Sequence, residues 1–244
     1  MSIQRHTVLA IDASTEQSSV ALNYKGHIHS QVCNIPKSHA QALLPMVDQV
    51  LSDADITLPE LDGIAVTLGP GSFTGVRICL SVAQGLAYGA KVPLVGANSL
   101  EVLAYGIHSN TSFDPCEHRY VVSCLDARMS EVYWAGYRVE QGRMIEVEVP
   151  SVVSPARFNE AVNPYRSESI AGGHGLSLAS LESTGFNVCL PDELPLAKNL
   201  LSIWDDDSFN TALNQARKNG LDAIEPLYLR NEVAWEKRTR IRTS

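Results

Sequence analysis

No stretch of the chain approaches the roughly 20 consecutive apolar residues that a membrane-spanning helix needs. Residues Met1 to Thr7 lead straight into a strand-like run, without the apolar segment of a secretory signal. A cytoplasmic protein with no membrane contact is expected. Cysteine is sparse and scattered: Cys33, Cys79, Cys116, Cys124 and Cys189 form no C-x-x-C pair, so the usual zinc and redox motifs are excluded. Those in apolar runs read as small buried hydrophobes. His27 and His29 share one face of a strand, but two imidazoles alone do not make a zinc site. An excess of basic charge is also missing, with 19 Lys and Arg against 27 Asp and Glu and a net charge of −8. Proteins that grip nucleic acid by their own surface are usually basic, because phosphate contacts supply most of the affinity. Any contact with RNA is therefore expected to be indirect. The one basic cluster, Lys237, Arg238, Arg240 and Arg242, reads as a solvated tail or as a docking arm for RNA or a partner.

The residues that are present read as an α/β protein with mixed sheets in two lobes. Thr7 to Asp12 is a buried strand ending on an aspartate. Turn chemistry at Ala13 to Gln17 separates it from a second strand, Ser18 to Leu22, and Asn23 to Gly26 turns into a third, Ile28 to Cys33. Three strands joined by tight turns predict an antiparallel meander, unlike a Rossmann fold, where a helix follows the first strand. Ser38 is placed to cap a helix whose apolar face is Leu43, Leu44, Val47, Val50, Leu51 and Ala54, with Pro45 predicting a kink or a late start. A strand at Gly63 to Leu68, a helix from about Ser72 to Ala90, a strand at Leu94 to Ala97 and a short helix capped by Ser99 follow. Residues 108–117 read as the lobe boundary. The second lobe, 108–207, begins with strands at Tyr120 to Asp126, Val132 to Arg138 and Met144 to Val149, and Ile170 to Gly175 resembles a strand feeding a loop and helix. A late helix over Phe209 to Lys218, stopped by Gly220, is expected to rejoin the first lobe (1–107) as part of 208–244.

Two loops are candidates for holding phosphate. Gly69-Pro-Gly-Ser-Phe-Thr-Gly75 joins a buried strand to a helix, where backbone amides and the positive helix end can hold an anion. It lacks the Gly-Lys-Ser/Thr of a Walker loop and misses G-x-G-x-x-G by one position, so glycines that serve only close packing remain an equal reading. Asp12-Ala-Ser-Thr15 is the second: Ser14 and Thr15 supply donors and Asp12 a carboxylate for a hydrated metal, or all three simply satisfy turn amides. A nucleotide site would thus use Asp12, Ser14, Thr15, Gly71 and Ser72.

The helix after the glycine loop carries a second kind of signal. At about 100° per residue, Arg77, Ser81, Gln84 and Tyr88 gather in a narrow polar arc. Val76, Cys79, Leu80, Ala83, Leu86, Ala87 and Ala90 form one apolar face, and Ile78, Val82, Gly85 and Gly89 extend it. One sheet contact needs only a stripe somewhat over 100° wide, so burial on two sides is expected. The second cover is either the chain's own first helix or another protein. Each interior glycine costs about 1 kcal/mol relative to alanine, which close helix packing would offset.

Leu9-Ala-Ile-Asp-Ala-Ser-Thr15, Ser38-His-Ala-Gln-Ala-Leu-Leu-Pro45, Gly69-Pro-Gly-Ser-Phe-Thr-Gly-Val-Arg77, Pro93-Leu-Val-Gly96, Asp126-Ala-Arg128 with Glu131-Val-Tyr133, and Pro226-Leu-Tyr-Leu-Arg-Asn231 together resemble the TsaB family of tRNA threonylcarbamoyladenosine biosynthesis proteins. The resemblance implies an actin-like (ribonuclease H-like, ASKHA) fold whose second lobe is reduced. It implies pairing with a catalytic paralogue, TsaD, which transfers a threonylcarbamoyl group from an adenylate to the tRNA adenosine next to the anticodon, and an ATPase, TsaE, that docks on the pair. The catalytic paralogue carries an H-x-x-x-H metal motif; here no two of His6, His27, His29, His39, His108, His118 and His174 stand four apart. The resemblance therefore implies a non-catalytic scaffold that needs no cofactor of its own, with ATP or ADP entering only within the complex, and a homodimer when alone. It favours a helical interface built from His39, Leu43, Leu44, Val47, Arg77, Ile78, Val82, Gly85, Leu86 and Gly89, with Arg77 and His39 as polar anchors at its rim. The competing readings are an independent actin-fold ATPase or kinase, a peptidase, and a direct tRNA-binding module. The kinase would need a second phosphate loop with a glycine, which Asp126-Ala-Arg128 lacks.

Overall fold

A computed structural model describes residues 3, 5–35, 38–111, 120–178 and 185–230. Residues 112–117 of the expected lobe boundary, with Cys116, the neighbouring His118, and the basic cluster at 237–242 lie outside the described residues.

The first sheet is built from β1 (Val8–Asp12), β2 (Ser18–Tyr24), β3 (His27–Cys33), β4 (Gly63–Thr67) and β5 (Leu94–Ala97), in the order β3-β2-β1-β4-β5. The expected meander forms: β1 and β2 pair antiparallel, as do β2 and β3, while β4 and β5 add in parallel on the other side of β1. The second sheet repeats the plan with β6 (Tyr120–Arg128), β7 (Glu131–Glu140), β8 (Arg143–Val153), β9 (Ser169–Gly172) and β10 (Val188–Leu190), in the order β10-β9-β6-β7-β8. In chain order within each lobe, both sheets read third, second, first, fourth, fifth. The sequence shows no repeat, yet the topology is duplicated.

Two helices cover one face of the first sheet, α1 (His39–Asp53) and α2 (Phe73–Ala90). They lie side by side over Leu9, Ile11, Val20, Leu22, Ile64 and Val66. Helix α1 begins at His39, six residues before Pro45, so the late start does not occur. The opposite face of this sheet is closed by α5 (Ala197–Leu200) and α6 (Asp206–Asn219), whose Leu200, Phe209 and Leu213 pack on Val8, Ala10 and Val95. The return to the first lobe thus comes about ten residues before the expected boundary at 207. Between the sheets runs α3 (Ser99–Ser109), sending Val102 to the first core and Leu100, Leu103 and Ile107 to the second. Its cap is Asn98, whose side chain accepts from Leu100 N–H at 2.8 Å, rather than the expected Ser99. In the second lobe α4 (Pro155–Val162) corresponds to α1 in chain order. The counterpart of α2, between β9 and β10, is a 3₁₀ turn at His174–Ser177 among the described residues. The second lobe is reduced at that position.

Candidate functional site

Both candidate phosphate loops meet at the C-terminal end of β1. Asp12 is fully buried there, and its Oδ1 accepts from Ser14 N–H at 3.2 Å, Ser14 Oγ–H at 2.7 Å and Thr67 Oγ–H at 2.6 Å. Its Oδ2 has no partner among the described residues. Burial outweighs those three bonds and raises the carboxyl to about 6. Thr15 Oγ1 accepts from Gln17 N–H at 3.3 Å. The glycine loop lies directly on this turn: Ser72 N–H donates to the Ser14 carbonyl at 2.7 Å, and Gly75 N–H to Ser72 Oγ at 3.2 Å, capping α2. A Cβ on Gly71 would sit 2.0 Å from the Ser14 oxygen, and one on Gly75 2.1 Å from the Ala13 oxygen. These glycines let two backbones touch. Asp12, Ser14, Thr15, Gly71 and Ser72 are therefore brought together, with the Ser14 N–H and hydroxyl turned onto Asp12 and the Ser72 N–H onto the Ser14 carbonyl.

The equivalent turn of the second lobe faces the first. Asp126 Oδ1 accepts from Arg128 N–H at 2.6 Å, and Arg128 extends its guanidinium 2.8 Å from Glu16 across the gap between the lobes. Arg128, Met129 and Ser130 all take left-handed φ angles, 63°, 54° and 58°, without a glycine. Among the described residues, no three His, Cys, Asp or Glu side chains gather as a metal site. The nearest approach to a nucleophile and base is a pair that sequence spacing did not suggest: Ser18 Oγ lies 2.6 Å from His39 Nδ1. Both are buried, and burial lowers the imidazole pKa, so the pair ties α1 to β2 beyond the reach of a peptide substrate.

The α1–α2 face divides the expected interface residues. His39, Leu43 and Val47 are buried in the chain's own core, because α1 turns that stripe onto the sheet; they are not available to a partner, and His39 is not a rim anchor. Leu44, on the other side of α1, is 47% exposed. Helix α2 buries Val76, Cys79, Leu80, Ala83 and Ala87, leaves Ile78, Val82 and Leu86 half-buried, and exposes Arg77, Gly85, Tyr88 and Gly89. Among the described residues, burial of α2 on two sides is thus incomplete. A Cβ on Gly85 or Gly89 would meet nothing within 4 Å, so the α2 backbone stands open there.

The segment after α6 runs back beside α2. Gln84 Nε2 donates to the Leu221 and Ile224 carbonyls, Leu227 N–H to the Leu68 carbonyl at 2.7 Å, and Arg230 reaches Glu131 in the second lobe. Tyr228 from this segment and Phe73 from the start of α2 enclose Arg77. The guanidinium carbon lies 3.6 Å from the Phe73 centroid and 5.6 Å from that of Tyr228, and Nε–H donates to Tyr228 Oη at 2.8 Å. Phe73 is 56% and Tyr228 45% exposed. Helical periodicity indicated Arg77 but neither aromatic, since Phe73 sits at the end of the loop and Tyr228 is 151 residues away.

The family model described as TsaD, tRNA N6-adenosine threonylcarbamoyltransferase, matches residues 16–189. The chain is 35% identical over 234 residues to the tRNA threonylcarbamoyladenosine biosynthesis protein TsaB of Escherichia coli (strain K12), covering 94% of this chain and 97% of that protein. It is 33% identical over 253 residues to TsaB of Haemophilus influenzae (strain ATCC 51907 / DSM 11121 / KW20 / Rd), covering 96% and 98%. The solved structure of YeaZ from Pseudomonas aeruginosa matches with a TM-score of 0.76 at 35% identity, over 92% of this chain and all of that one.

Proposed function

The chain belongs to the TsaB family of tRNA threonylcarbamoyladenosine biosynthesis proteins, and on that premise we propose that it is a cytoplasmic, non-catalytic scaffold that pairs with a TsaD-type paralogue through the α1–α2 face. The observation that carries this reading is the open backbone of α2 at Gly85 and Gly89, bordered by half-buried Val82 and Leu86 and by exposed Leu44. Interior glycines weaken a helix by about 1 kcal/mol each, and nothing among the described residues uses the space they leave. A helix of a partner can approach closely at that point.

The scaffold role also fits the first-lobe loops. The Ser14 N–H and hydroxyl and the Ser72 N–H are engaged within the two loops, which supports a chain that requires no nucleotide of its own, with ATP or ADP acting within the assembled complex. A TsaE-type ATPase docks on the pair, and tRNA contact is indirect, in keeping with the net charge of −8. Alone, the chain uses the same face to form a homodimer.

Gly85→Trp tests the reading, because a side chain there projects into open space and leaves the monomer folded. Size-exclusion chromatography and circular dichroism should show a folded monomer that no longer binds the paralogue, with tRNA modification by the reconstituted complex lost. Retained pairing would overturn the proposal. Magnesium and ATP added to the isolated chain should give no turnover; robust hydrolysis would instead favour the independent ATPase.

A further inference from the structure

Arg77 is held differently from the ion-paired arginines of this acidic chain. Arg5, Arg128, Arg138, Arg143 and Arg230 each lie against a carboxylate: Asp206, Glu16, Glu140, Asp205 and Glu131 respectively. The Arg77 guanidinium instead rests on Phe73 and is fixed at Nε by Tyr228, while its two terminal nitrogens meet no carboxylate among the described residues. Stacking and the Nε bond hold the planar group in one orientation, which removes much of the ordering entropy that a free arginine loses on binding. The outward edge is a two-pronged donor that matches a carboxylate. Exposed aromatic side chains around an arginine are also the composition found at interface hot spots.

We infer that Phe73, Arg77 and Tyr228 form a preassembled receptor for an aspartate or glutamate side chain of the TsaD-type partner, at the α2 N-terminal end of the docking face. This rests on the proposed pairing and assigns the chemistry of one contact within it. An acidic side chain is favoured because the outward group is a planar cation whose terminal nitrogens match a carboxylate and meet none among the described residues.

The test measures affinity for the cognate paralogue at two salt concentrations, using the full chain and its variants. Arg77→Ala should weaken pairing by roughly tenfold to a hundredfold. Arg77→Lys, which keeps the charge but loses the planar fork, should recover only a minor part of that loss. Wild-type affinity should fall as salt rises, and the Arg77→Ala affinity should fall less steeply. Arg77→Glu should be rescued by an acidic-to-arginine change at one position on the paralogue. If Gly85→Trp abolishes pairing while Arg77→Ala and Arg77→Glu bind as the wild type does, the receptor is refuted and the docking face stands. If Gly85→Trp pairs normally, the face itself is wrong and the receptor falls with it.

Discussion

At the scale of single residues, Asp12 is the group whose chemistry the fold changes most at the lobe junction. An unburied aspartate titrates near 3.8, and here burial brings it to about 6. The folded state therefore binds the proton more tightly than the unfolded chain. Its stabilising effect is full below about pH 3.8 and is lost as pH rises through about 6. The difference corresponds to about 3 kcal/mol, as an order of magnitude. Asp12→Asn removes this dependence while keeping an acceptor for Ser14 and Thr67, although its amide N–H₂ then takes the place of an unpartnered oxygen. In thermal melts, the melting temperature of Asp12→Asn minus that of the wild type should rise between pH 4 and pH 6 and level off above pH 7. Parallel curves across that range would show that the carboxyl titrates normally.

Among the elements, α2 holds glycines of two opposite kinds. Gly71, just ahead of it, and Gly75, in its first turn, stand where a Cβ would strike the carbonyls of Ser14 and Ala13. Gly71→Ala should lower stability by about 2–3 kcal/mol, because backbone rather than a flexible side chain has to move. Gly85→Ala meets open space and should raise the stability of the isolated chain by up to about 1 kcal/mol. Denaturant unfolding of the two variants tests the distinction; equal effects would show that the loop is not clamped. The sequence marked these glycines by spacing and could not sort them, since each kind depends on what lies across from it. The same limit left open, from the sequence, whether the second cover of α2 comes from this chain or from another protein. Ser99 to Ile107, apart from half-buried Glu101, is buried all round in α3, which is caught between two sheets, whereas α2 keeps an open side.

For the whole molecule, the duplicated sheets place the Asp12 turn and the Asp126 turn opposite each other, joined by Arg128 and Glu16. Both of those side chains are largely exposed, so Glu16→Gln should cost less than about 1 kcal/mol. The lobes are held together instead by α3, whose side chains enter both cores. Calorimetry should accordingly show one main unfolding transition; two well-separated transitions would mean that α3 does not couple the lobes. The family's fold is actin-like, and the repeat of strand order explains how 244 residues supply two such lobes when one is pared down.

Local spacing was enough to determine the opening meander, the loop-to-helix junction at Gly69 to Gly75 and the amphipathic character of α1 and α2, because each is written in residues close together in the chain, and the family was legible as a resemblance of short segments spread from Leu9 to Asn231. Tertiary structure alone decided which part of the apolar surface stays uncovered. It turned Leu43 and Val47 inward and Leu44 outward, laid the glycine loop on the Asp12 turn through the Ser72 N–H and the Ser14 carbonyl, and brought Tyr228 to Arg77. Exposure and long-range contact depend on how whole elements stack, and that information is spread across the chain rather than held in any one segment.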